Sequence, residues 1–215
     1  MKIGTFYSGT IEELNEQCIK SKFFILGIPL FPISSFYFVN KTQGIKLPLV
    51  RNSAMIGFGR TVCLIFGILL TLLCLMYEHF PNSSLKILAM VGAIIFMTIA
   101  IYSWLSGQNI SEKEKKARLI LEKSIGYNML PTKLPKETRV QIVKTIISKI
   151  NAKYPDFSME TSFNRTDFDN TELPLLFSFA TYMESISTKK ASRDFLEKYP
   201  AEIIYEQNFS KKTNA

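Results

Sequence analysis

The chain has one histidine, His79, and three cysteines, Cys18, Cys63 and Cys74, in 215 residues. That scarcity excludes several chemistries at once. Cys63 and Cys74 lie in the same apolar run, so neither a disulfide framework nor a Cys/His metal site can be built from the spacing. Any Ser/His or Cys/His nucleophile pair would have to use His79. Motifs that carry chemistry are missing too: there is no P-loop, no GxGxxG, no HExxH and no DFG set. The acids Asp156, Glu160, Asp167, Asp169 and Glu172 gather in a polar stretch, but a calcium loop needs a turn glycine and a full ligand series, and neither accompanies them. The sequence therefore predicts a protein that is not an enzyme and holds no cofactor and no metal.

A concentrated basic face is also missing. The net charge is +8, yet residues 1–53 carry six Lys/Arg against three Asp/Glu, residues 54–107 two against one, and residues 108–215 eighteen against fourteen. A spread excess argues against a nucleic-acid partner and suits attraction to an anionic lipid surface. The first apolar run begins far from residue 1 and lacks a small-residue cleavage site, so no removable signal peptide is expected.

What the sequence does contain is two uncharged apolar runs, Thr61–Tyr77 and Ile87–Leu105, of 17 and 19 residues, set nine residues apart. As helices rising about 1.5 Å per residue, each covers most of a roughly 30 Å hydrocarbon layer, the first with help from Gly57, Phe58 and Gly59. They predict a membrane-spanning helical hairpin. Lys41, Lys46, Arg51 and Arg60 precede the first run, and Lys113, Lys115, Lys116 and Arg118 follow the second, whereas the loop between them has one lysine and one glutamate. The positive-inside rule then places both termini in the cytoplasm. Arg60 and Lys86 stand where long side chains snorkel, and Tyr77, Tyr102 and Trp104 where an aromatic belt is expected.

Small residues recur along one face of each run: Cys63, Gly67, Thr71 and Cys74 on the first, and Ala89, Gly92, Ala93, Ala100 and Ser103 on the second. In lipid, small residues let backbones approach closely. They predict packing within the hairpin, with self-association into a homo-oligomer as the other use of the same faces. A water-filled ion path is disfavoured, because neither run holds an ionisable side chain.

The flanking pieces complete the expected fold class, an integral membrane α-helical protein. Residues 1–53 form a small α+β cytoplasmic segment, residues 54–107 the hairpin with spans at about 57–77 and 87–105, and residues 108–215 a cytoplasmic helical bundle. In the first piece, Thr10 and Glu13 read as a capping box for a helix over Ile11–Lys20. Lys22–Ile28, Ser34–Asn40 and Gly44–Val50 read as strands. Pro29 and Pro32 interrupt the apolar stretch Phe23–Val39, which favours a β-hairpin over a third span.

In the last piece, Ser111 and Glu114 cap a helix with Ala117, Ile120, Leu121 and Ile125 on its apolar face. Lys113, Lys115, Lys116, Arg118 and Lys123 form its other face, solvated or docked on anionic headgroups; the first four are the expected membrane-surface contacts. Pro135 opens a helix with a core stripe of Val140, Val143, Ile146, Ile147 and Ile150. Asp156–Asn170 reads as a loop, and Thr171 as the cap of an apolar helix that is central to the bundle or covers a partner. Two short helices, Ala191–Tyr199 and Ala201–Phe209, are split by Pro200, and Ser210–Ala215 should fray.

The function expected from these features is binding. A membrane-anchored adaptor, accessory or immunity-like factor would recruit or inhibit an unidentified protein partner at a bacterial cytoplasmic membrane through residues 108–215. Small size and the lack of organelle signals favour the bacterial setting. The alternative is an oligomeric membrane component, a small pore or transporter subunit, assembled through the small-residue faces.

Overall fold

A computed structural model of the chain describes residues 3–26, 29–40, 42–76, 83–105, 110–155, 157–158, 163, 168–169 and 172–209. It is mostly helical, with one small antiparallel sheet, and divides into two compact units, Met1–Asn109 and Ile110–Ala215.

The first unit opens with four strands, β1 (Ile3–Leu14), β2 (Gln17–Leu26), β3 (Pro29–Phe38) and β4 (Gly44–Leu47), paired antiparallel in sequence order. The expected helix over Ile11–Lys20 is absent, so among the described residues the segment ahead of the apolar helices is all-β and the α+β expectation is corrected. The chain reverses instead at Asn15 and Glu16, with φ of 48° and 68°, a left-handed conformation that asparagine tolerates better than most residues. A capping box contributes roughly 1 kcal/mol. Pairing Ile11 with Ile19 across the ladder buries both, at 5% and 1% exposure, and contributes about 1.5–3 kcal/mol for each side chain. The sheet wins. The buried Tyr37 hydroxyl also donates to the Gln17 side-chain oxygen, holding the start of β2 to β3.

The three expected strands fall on β2, β3 and β4. Pro29 begins β3, and Pro32 sits opposite Phe23 beside a register shift, the places where a missing N–H costs a ladder least.

Two long helices follow, α1 (Arg51–Met76) and α2 (Ser83–Leu105), each long and apolar enough to cross a membrane. Most of their apolar side chains are not covered within the chain. They pair antiparallel, as Arg60 meets Ser103, Gly67 meets Met97 and Leu70 meets Gly92. The first turns of α1 pack under the inner face of the sheet, where Gly57 lies against the Phe23 ring. Tyr77, Glu78 and His79 lie outside the described residues.

The second unit holds α3 (Glu112–Ile125), a short 3-10 turn at Pro131–Lys133, α4 (Lys136–Lys153), α5 (Leu173–Ile186), α6 (Lys190–Lys198) and α7 (Ala201–Phe209). The Ser111 side chain accepts from the Glu114 N–H at 3.2 Å, and Gly126 closes α3 with a φ of 85°. As expected, α5 is central, burying Leu173, Leu176, Phe177, Phe179, Ala180 and Tyr182 against α3, α4 and α6. The Tyr182 hydroxyl donates to the Met129 carbonyl at 3.0 Å.

On α4 the buried strip is Ile142, Val143, Ile146 and Ile150, while Val140 and Ile147 are half-exposed. Both lie together beyond one edge of the strip, because α4 packs mainly against α5 and buries a narrow face.

Within the expected loop Asp156–Asn170, Phe163 is buried in the core, and the half-buried Phe157 and Phe168 pack on its edge. Phe163 stacks on Phe195 with ring centroids 4.7 Å apart, Phe157 lies edge-on to Phe179, and Phe168 edge-on to Phe195 and Tyr199. The expected cap Thr171 and the tail Ser210–Ala215 lie outside the described residues.

Candidate functional site

The seam between α1 and α2 brings together most of the predicted small residues. Gly67 is buried, and a Cβ there would meet Met97 Cγ and Sδ at 3.0 Å; at Gly92 it would meet Leu70 Cδ1 at 3.1 Å. Ala89, Ala93, Ala100 and Ser103 are buried in the same seam, and Phe66 stacks on Phe96 with centroids 5.6 Å apart. Cys63, Thr71 and Cys74 sit at its margins; the Cys74 Sγ is 3.9 Å from the Lys86 carbonyl, and the Thr71 hydroxyl bonds back to Gly67 in its own helix. Gly67, Ala93, Ala100 and Ser103 are thus taken up within the pair, while Thr71 stays exposed. The outward faces carry Leu69, Leu72, Ile94 and Ile101, all exposed. An apolar groove of about 500 Å³ runs between Leu70, Leu73, Leu85, Leu88 and Ile95.

Two polar features hold this unit together that sequence reasoning missed. Arg60 donates from Nε and Nη2 to the Ser103 carbonyl at 3.0 and 2.9 Å and lies over the Trp104 ring, so its cation faces the carbonyl end of α2. The signal was present in the sequence, since Arg60 is the one cation directly bordering the first run.

The second feature is a chain of buried hydroxyls. Val50 N–H donates to Ser35, Ser35 and Ser21 share a bond at 3.0 Å, Ser21 donates to Ser53 at 2.9 Å, and Ser53 donates to the Gly9 carbonyl at 2.6 Å. With Ser35 donating to Ser21, each hydroxyl has one donor role filled, and β1, β2, β3 and α1 are tied in one direction. A pattern of serines on aromatic strands hints at such a chain, but their partners are not readable without the fold.

The predicted membrane-surface residues separate. Lys113 and Lys116 pair with Glu202 and Glu206 at 3.7 and 3.8 Å, and Lys116 also lies over the Tyr205 ring, so this side of α3 meets α7. Lys115 is exposed and pairs along its own helix with Glu112. Arg118 is no surface contact: it is 2% exposed, its Nε donates to the Asn128 carbonyl at 2.6 Å and its Nη2 to the Asn128 side chain at 3.1 Å, with Glu114 at 3.8 Å. At about 100° per residue, Arg118 projects within about 20° of Ile125, on the buried side of α3. Its charge misplaced it on the solvated face.

At the turn end of the sheet, Tyr7, Glu13, Glu16, Cys18, Lys20, Phe38 and Asn40 line a cleft of about 460 Å³. Burial pushes the Cys18 thiol up, with Lys20 opposing and Glu13 adding to the rise. Among the described residues, no group of three or more His, Cys, Asp or Glu could hold a metal ion. No family model, curated protein or solved structure matches the chain.

Proposed function

We propose that the chain is a membrane-anchored, non-enzymatic binding protein of a bacterial inner membrane. In this reading α1 and α2 span the bilayer as a hairpin, both termini are cytoplasmic, and residues 110–215 engage a protein partner as an adaptor, accessory or immunity-like factor. One observation carries the reading: Gly67, Ala89, Ala93, Ala100 and Ser103 are buried between α1 and α2 while Leu69, Leu72, Ile94 and Ile101 face outward, exposed. Each such side chain gains about 1.5–3 kcal/mol on leaving water, and a bilayer supplies that environment along the whole pair. The second unit has a core of its own, centred on α5, and is large enough to present a binding surface.

A pore or transporter subunit assembled through the small-residue faces would have to separate Gly67 from Met97 and Gly92 from Leu70, which the packing of the pair disfavours.

Reporter fusions after Lys41 and after Asn151 test the topology, since both should report cytoplasm; a far-side signal from either overturns the hairpin. For the binding role, the protein cross-linked to the full chain in membranes is identified and offered to residues 110–215 alone. Capture of that same protein is expected. Reproducible ion flux from the purified chain in vesicles, with no common partner, overturns the adaptor reading.

A further inference from the structure

Two contacts fix how the β2–β3 ribbon runs along α1. Ser21 of β2 bonds Ser53 at 2.9 Å, and two residues on, Phe23 lies against Gly57, four residues along α1. Two strand residues advance about 6.6 Å and four helical residues about 6 Å, so β2 and α1 run side by side in the same direction and keep level. The next residue, Phe24, reaches the level of about residue 59, beside Arg60, and its ladder partner is Phe31. The ribbon thus points along α1 towards its apolar stretch.

Its side chains change character in the same direction. Lys20 and Lys22, half-buried on the outer face and level with the start of α1, come first. Beyond them Ile33 is 55% exposed and Phe31 67% exposed, large apolar side chains on an open surface. Met55 and Phe58 on α1 are also exposed at these levels, and Trp104, under Arg60, is 65% exposed. The ribbon thus passes from a level where Lys20 and Lys22 sit among Tyr7, Phe36 and Phe38, with Glu13 and Glu16 near Lys20, to an uncharged apolar level, the order of a headgroup layer followed by the acyl boundary.

We propose that the β2–β3 ribbon dips at Phe31 and Ile33 into the leaflet that α1 enters, with these two side chains at the acyl boundary and Lys20 and Lys22 among anionic phosphates. The occupant of this surface is phospholipid. The sheet is then a second, interfacial membrane contact that fixes the height and tilt at which α1 enters the bilayer. This rests on the reading that α1 and α2 cross the membrane.

The test uses the full chain with Trp104→Phe, reconstituted in phosphatidylcholine/phosphatidylglycerol vesicles with or without brominated acyl chains. Single tryptophans are introduced by Phe31→Trp, Ile33→Trp or, as a reference on the outward face of α1, Leu69→Trp. The expected result is blue-shifted emission from all three, strongly quenched by bromolipid and little by aqueous acrylamide. Quenching of Leu69→Trp by bromolipid alongside acrylamide access at Phe31→Trp and Ile33→Trp overturns the insertion and leaves the spanning reading intact. Protection of the two ribbon probes from both quenchers also overturns it, since protein then covers the patch. Bromolipid quenching of none of the three overturns the insertion and the spanning reading together.

Discussion

Ser53, in the first turn of α1, donates its hydroxyl to the Gly9 carbonyl of β1 at 2.6 Å, and a Cβ on Gly9 would lie 1.9 Å from the Ser53 carbonyl oxygen. Strand and helix are therefore joined by contact as well as by a hydrogen bond, and only glycine fits, both for space and for its φ of 73°. Ser53→Ala leaves the Gly9 carbonyl and the Ser21 hydroxyl without that partner and should cost about 1–3 kcal/mol. Gly9→Ala should cost more, because backbone must move. Thermal unfolding in mild detergent orders the two; equal midpoints for parent and Gly9→Ala would show that β1 does not rest on α1.

The seam between α1 and α2 can be tested by compensation. Gly67→Leu should push α2 away at Met97, and Met97→Ala should cost little more than its lost contacts. Combined, the leucine occupies the space the methionine vacates, so the double variant should recover roughly 0.5–3 kcal/mol relative to additivity. Strict additivity in a detergent unfolding series would place Gly67 away from Met97.

Arg118 and Lys115 share a helix and a charge but differ in burial, so their removal should differ. Arg118→Ala withdraws both donors from Asn128 and empties a buried volume, an expected loss of about 3 kcal/mol. Lys115→Ala should stay within about 0.5 kcal/mol. Urea unfolding of residues 110–215, followed by the helical circular dichroism signal, separates the two. Equal small effects would return Arg118 to the solvated face.

The core of the second unit is tested at Ile146, which is fully buried on α4. Residues 110–215 should fold on their own with cooperative, helical melting, and Ile146→Asp should abolish that transition by burying a carboxylate among apolar groups. Ile147→Asp, at the half-exposed edge, should leave a transition at lower temperature. A melt for Ile146→Asp matching the parent would show that the strip is not core.

Several elements were readable from local pattern. The Ser111/Glu114 cap, the apolar richness of α5 and the strand segments of β2–β4 each rest on residues a few positions apart, so sequence order alone carries them. The α4 stripe was half right, as periodicity located the face but not its edges, which depend on where α5 lies. Phe163 and Phe168 were hidden by a polar neighbourhood, because averaging over a segment conceals single aromatics that a core takes up.

The sequence by itself determined the two long apolar helices and the lack of the common catalytic motifs, since length, hydropathy and residue scarcity are properties of the chain read in order. Tertiary structure decided the rest. Ile11–Lys20 became strand because Ile19 and Tyr37 offered partners across a sheet, and Arg118 turned inward because Asn128 met its guanidinium. The small faces of α1 and α2 closed on each other because Met97 and Leu70 lay opposite two glycines. In each case the deciding energy comes from a group distant in sequence or on another element, which no local pattern contains.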